Sequence, residues 1–161
     1  MSTSTAAKPM PQDFGVLLNL AFGAFKHELH AELARVGFDD VGTSFGYVFR
    51  LLAHKPTNLR DVAEALRITA PGALKIVNDM VDKGYVERQD HPGDARQKLL
   101  TLTPRARRAM VAAHEFHEEF ERSLAARVGP RQASAARAAL EAIVARAERD
   151  GGETGIVLRP R

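Results

Sequence analysis

Along the first part of the chain the apolar positions keep a helical period. Phe14, Leu18, Ala21, Phe25, Leu29 and Leu33 recur three or four residues apart, and Leu17, Leu20 and Ala24 add a second stripe. This pattern predicts an amphipathic helix ending near Val36–Gly37. A helix apolar on two faces has more to bury than its own domain offers, which implies a subunit partner. After the turn FDDVGTS, Phe45, Val48, Phe49 and Leu52 predict a second helix. Tyr47, Leu51 and His54 occupy another of its faces, so it belongs near the centre of the fold.

Lys55-Pro56 stops that helix, and Thr57 or Asn58 caps the next, in which Leu59, Val62, Ala63 and Leu66 follow i, i+3, i+4, i+7. The link Arg67-Ile68-Thr69 supplies another cap, with Pro71 in the first turn of the following helix. Ala73, Ile76, Val77, Met80 and Val81 form the buried stripe of that helix, and Gly84 suits a left-handed C-terminal cap. Two short helices with one apolar face each, joined by about three residues, make a helix-turn-helix. The period then changes. Residues 85–89 and 97–102 predict two strands, with 90–96 as the loop between them. Thr103-Pro104 opens a long helix whose apolar side carries Met110, Ala113, Phe116, Phe120 and Leu124. Val128-Gly129-Pro130 breaks it, and Ala136, Leu140, Ile143, Val144 and Ala147 line a last helix.

The chain of 161 residues is 45% hydrophobic and 27% charged, ordinary proportions for one soluble domain. Without cysteine it can form no disulfide, thiolate zinc site or cysteine nucleophile. No apolar run approaches the roughly 18–20 residues that cross a bilayer, and the polar start MSTSTAAKPMPQ has no signal-peptide core. A cytoplasmic domain with no membrane partner is expected. The net charge of +3 is modest but unevenly placed: Lys55 to Arg108 holds 11 Lys and Arg against 7 Asp and Glu. The positive excess surrounds the hairpin, a modest footprint for a polyanion.

A helix of such a unit can enter a major groove, with its first residues nearest the bases. A hairpin tip carrying arginine can reach the adjacent minor groove, and Arg96 is the candidate. Asp94 is placed to hold Arg96 or Arg88 by a charge-assisted bond, and Lys98 to meet phosphate. The run from Asn58 through Thr103 resembles the MarR family of winged helix-turn-helix transcription regulators. The features that carry the resemblance are NLRDVAEALR, the junction ITAPGALKIVNDMVDKGYVER, and a wing with D-A-R followed by L-T-L-T.

The resemblance implies a mostly α fold with a small two-stranded β wing, a winged helix-turn-helix flanked by an α-helical dimerisation region. The expected segments are a disordered arm (1–12), an N-terminal dimerisation helix (13–41), the DNA-binding region (42–103), C-terminal dimerisation helices (104–150) and a flexible tail (151–161). It further implies a homodimeric repressor on a pseudo-palindromic double-stranded DNA operator, with half-sites about one helical turn apart. The start of the recognition helix, Ala70-Pro71-Gly72-Ala73, departs from the usual pattern in lacking hydrogen-bonding side chains. Base reading then falls to Thr69, Lys75 and Asn78, with Pro71 and Gly72 letting the backbone approach closely. Thr57 and Arg60 are candidates for phosphate contacts, as is one of Arg105, Arg107 and Arg108, whereas Arg88 is expected to brace the wing.

The family architecture also implies a small-molecule effector where the first, second and fifth helices meet the DNA-binding lobe. The residues there are Phe22, Phe25, His30, Phe45, Tyr47, Phe49 and Arg50, with His114 or His117 from the fifth helix, a set suited to an aromatic or anionic ligand. The competing reading makes Phe25, Phe45 and Phe49 plain core. The pairs His27/His30 and His114/His117, three apart, leave a zinc-responsive regulator as an alternative. A winged-helix protein-interaction module and a non-specific architectural DNA protein are the others. There is no Gly-rich phosphate loop, G-x-S-x-G elbow or H-E-x-x-H motif, so no enzyme, catalytic residue, cofactor or metal is expected.

Overall fold

The computed structural model describes residues 13–149, leaving the side chains of residues 91, 94–96 and 147–149 outside the description. The expected arm and tail lie outside the described residues. The order is α1 (Phe14–Arg35), α2 (Phe45–His54), α3 (Leu59–Ala65), α4 (Ala70–Asp82), β1 (Val86–His91), β2 (Asp94–Leu102), α5 (Pro104–Val128) and α6 (Pro130–Arg149).

Local chemistry sets most helix starts. The side chain of Asp13 accepts from the Val16 amide at 2.9 Å, and that of Thr103 from the Ala106 amide at 3.2 Å. Asn58, not Thr57, caps α3 by accepting from the Asp61 amide at 2.9 Å. Asp61 answers by accepting from the Asn58 amide nitrogen and the Thr57 hydroxyl, both at 3.1 Å. Such caps satisfy amides that have no partner within the helix. At the other end of the motif, α4 closes on Gly84 with φ 72°, and the Tyr85 amide donates back to the Met80 carbonyl at 2.8 Å.

The core belongs to the helix-turn-helix and wing. Phe45, Val48, Phe49 and Leu52 of α2 pack against Val62 and Leu66 of α3, Val77 and Met80 of α4, and Tyr85, Val86 and Leu100 of the wing. Only the first turns of α5 join them, through Ala106 and Ala109. Helix α1 buries just Leu33. Phe14, Leu17 and Leu20 of α1 and Leu140, Ile143 and Val144 of α6 remain 43–62% exposed.

The wing is antiparallel and longer than its apolar residues predict. Pairing runs in register from Val86↔Leu102 to Asp90↔Lys98, then shifts to His91↔Asp94 across a turn at Pro92-Gly93. The expected 90–96 loop is therefore mostly strand, because ladder bonds use the backbone and do not need the alternating side chains from which a strand is read. Between the last two pairs β2 has three more residues than β1, Ala95, Arg96 and Gln97, which puts Arg96 in a bulge beside the tip. Thr57 adds a one-residue third strand: its carbonyl accepts from the Leu100 amide at 2.7 Å and its amide donates to the Leu100 carbonyl at 3.3 Å.

The turn between α3 and α4 depends on Arg67, a non-glycine residue at φ 50°. An L-residue with a Cβ is strained there. Arg67→Gly is expected to stabilise the fold by about 0.5–1 kcal/mol after glycine's larger unfolded-state entropy is subtracted. Urea unfolding checks this, and a loss of stability would mean that the Arg67 side chain makes contacts outweighing the strain.

Candidate nucleic-acid interface

The outward face of α4 lies opposite its buried Ala73, Val77 and Met80. Pro71, Leu74, Lys75 and Asn78 are exposed on it, and Gly72 is half-buried. Thr69, also exposed, caps the helix by accepting from the Gly72 amide at 3.3 Å. Beside this face runs an open cleft of about 630 Å³ between α3, α4 and the wing. Arg60, Arg88 and Lys98 edge it, with Leu74, Val77 and Leu100 along its apolar part. Asp61 and Glu64 line the same cleft, so its cationic character is partly offset.

Two contacts brace this surface. Arg88 of β1 donates to the Asn78 side-chain oxygen, tying the wing to the recognition helix. Lys98 is ion-paired with Asp90 across the hairpin. The backbone of Asp94 and Arg96 lies in β2, while their side chains lie outside the described residues. Thr57 needs a correction. It is 3% exposed, its backbone is paired with Leu100 and its hydroxyl donates to Asp61, so it is a tie within the motif and not a phosphate contact.

Three comparisons bear on this arrangement. Residues 42–97 match the model of the MarR family. Over that stretch the chain is similar to the MarR family. Over 81 residues it is 32% identical to the HTH-type transcriptional regulator BilQ of Clostridium symbiosum, a match covering 48% of this chain and 56% of that protein. The chain thus spans little more than half the length of that relative. The fold reaches further. The transcriptional repressor CouR bound to a 23-mer DNA duplex superposes with a TM-score of 0.65 at 22% identity, over 81% of this chain and 92% of that one. The S. aureus MepR–DNA complex gives 0.65 at 18% identity, over 84% and 98%.

The helix-turn-helix and wing are joined to the long helix by a clasp that no local pattern signals. Tyr85, wholly buried, donates its hydroxyl to Asp40 in the α1–α2 loop. Arg105, in the first turn of α5, donates to both Asp40 oxygens at 2.9 and 3.1 Å and to the Tyr85 hydroxyl at 3.2 Å. Its guanidinium also lies 4.8 Å from the Tyr85 ring centre and 5.6 Å from that of Phe38. Arg105 is therefore a strut inside the protein, not a phosphate contact. Arg107 and Arg108 are exposed.

The expected effector residues do not gather into one site. Phe45 and Phe49, 2% and 5% exposed, pack edge-on and tilted against Tyr85 in the core, because α2 is enclosed by the wing. Tyr47 is half-buried against that core, while Arg50 is exposed. Phe22 is exposed on α1, under the ammonium of Lys26. Phe25 alone of the α1 aromatics reaches α5, packing with Phe116, His117 and Phe120 at 5.6, 5.3 and 4.9 Å between ring centres. Burial, aided by Lys26, lowers the pKa of the half-buried His30. Burial, then Arg50, does the same for His117. His114 is exposed and faces Glu118 at 3.4 Å. Among the described residues no three His, Asp or Glu stand together as metal ligands.

The clasp makes a pH-dependent claim. Burial pushes the Tyr85 phenol up to about 12, with the hydrogen bond to Asp40 adding to the shift and Arg105 opposing it. For Asp40 burial works against ionisation, but the bonds from Tyr85 and Arg105 outweigh it and leave the carboxyl below its ordinary value. A phenol held protonated in the folded state stabilises fully below the unfolded value, about 10, and ceases to do so as pH passes its folded value. Tyr85→Phe is expected to cost about 1–2 kcal/mol at pH 7. Denaturant titrations from pH 9 to above 12 should show the wild-type advantage shrinking between 10 and 12. A pH-independent difference would reject the clasp as the cause.

Proposed function

We propose that the protein is a sequence-specific transcriptional repressor that binds a pseudo-palindromic operator as a homodimer and is released by a small aromatic or anionic ligand. The observation carrying this reading is the outward face of α4, which presents Lys75 and Asn78 and is held beside the wing by Arg88. With α4 in a major groove, the wing that carries Arg96 is the element to reach the neighbouring minor groove. The uncovered apolar faces of α1 and α6 supply the second half of the argument, since two copies joined there present two such helices. CouR and MepR, named above with DNA, share this fold and support DNA as the partner.

Ligand release rests on the seam between α1 and α5. A ligand wedged there displaces Phe25 from Phe116, His117 and Phe120 and changes the angle between the two helices. The spacing of the two recognition helices changes with it, and DNA affinity falls by a shift of population. Among the described residues no helix is long and apolar enough to cross a membrane.

The test is a titration on the duplex just upstream of the protein's own gene, against a scrambled duplex, at two salt concentrations. Selective binding that weakens with salt is expected. Arg96→Ala and Lys75→Ala should each weaken it by at least ~1 kcal/mol while leaving helix content and dimerisation intact. Equal weak binding to both duplexes would favour an architectural role, and no binding at either salt a protein-interaction module.

A further inference from the structure

Resting on that reading of the α4 face, we infer that the protein recognises a thymine in each half-site through its methyl group, by contact with Leu74. Every large hydrophobic side chain left exposed among the described residues lies on α1, its cap Val36, α5 or α6, except Leu74. Leu74 is 42% exposed on the recognition helix itself, beside Lys75 and one turn from Pro71 and Asn78. The flanking helices have one another's apolar faces to explain their exposure. Leu74 stands apart from them, at the apolar part of the cleft with Val77 and Leu100, where Arg60, Arg88 and Lys98 form the edge.

The neighbouring hydrogen-bonding groups narrow the choice of base. Lys75 can only donate. Arg88, which also has donors alone, takes the oxygen of Asn78 and leaves the NH₂ as that amide's outward group. The paired contact by which asparagine reads adenine requires both its oxygen and its nitrogen, so the brace withdraws it. From Pro71 to Asn78 the outward side chains thus offer donors and hydrocarbon. In the major groove thymine presents an acceptor, O4, beside a methyl group, and guanine presents two acceptors. Thymine is the base that matches a donor next to an apolar side chain, and guanine suits Lys75.

The experiment replaces each thymine of the selectively bound duplex by deoxyuridine, which removes the methyl group and keeps O4. At one position per half-site, wild-type affinity should fall about fourfold, the worth of one buried methyl group. Leu74→Ala should weaken binding to the thymine duplex and become indifferent to that replacement, whereas Leu74→Met should stay sensitive. Helix content, measured alongside, separates loss of contact from loss of fold. If the Leu74→Ala and deoxyuridine losses simply multiply at every position, or if Leu74→Ala binds like wild type, the methyl contact is overturned while the regulator reading stands. If the wild type does not distinguish the duplex from a scrambled one, both fall.

Discussion

Tyr85 is the residue on which the helix-turn-helix and its wing turn. Its amide closes the recognition helix on Met80, and its carbonyl accepts from the Thr103 amide at 3.1 Å where β2 passes into α5. Its ring lies 5.6 Å from Phe45 and 5.7 Å from Phe49, and its hydroxyl reaches Asp40. One residue, through its backbone and its side chain together, therefore fastens α2, the α1–α2 loop, the end of α4 and the root of the wing. Burying a phenol requires a partner for its hydroxyl. Asp40 is that partner, and a half-buried carboxylate in turn requires a cation, which Arg105 provides from the start of α5. The helix that leaves the lobe is thus coupled to the helix that faces outward.

The same economy governs the surface. Arg88 and Lys98 both sit beside the recognition face, yet both are engaged by neighbours, Asn78 and Asp90. Such contacts fix side chains that would otherwise lose rotamer freedom on binding, at the cost of withdrawing some of their hydrogen-bonding capacity. A recognition helix poor in polar residues at its start then has few ways to read a base. In the proposed repressor, shape, phosphate contacts and hydrocarbon carry a larger share of discrimination than in a helix rich in amides and guanidinia.

Outside the lobe the constraint is the opposite. Helices α1, α5 and α6 expose Phe14, Leu17, Leu20, Val111, Leu140, Ile143 and Val144, more apolar surface than a protein keeps in water without use. Phe25 and its α5 partners close only part of the seam between α1 and α5. A second copy covering those faces would set the distance between the two α4 helices, so in the proposed repressor the interface and the reading of DNA are one mechanical problem.

The helices, the helix-turn-helix and the presence of a hairpin were all determined by the sequence itself. They rest on local causes: apolar spacing at 3.6 residues, Asn58, Thr69 and Thr103 as caps, and Gly84 as a left-handed stop. The exposed face of α4 was legible for the same reason, since Lys75 and Asn78 lie off its periodic stripe. Leu74 is an apolar residue off that stripe, and its exposure follows from that position. What only the tertiary structure decided concerns partners distant along the chain. Arg105 meets Asp40 across 65 residues, Thr57 is buried because it pairs with Leu100, and Phe45 and Phe49 become core because Tyr85 lies over them. Strand length exceeded its side-chain signal because backbone pairing needs no particular side chain. Periodicity and caps act over a few residues and are written in order along the chain. Burial and the choice of partner depend on what the completed fold brings alongside.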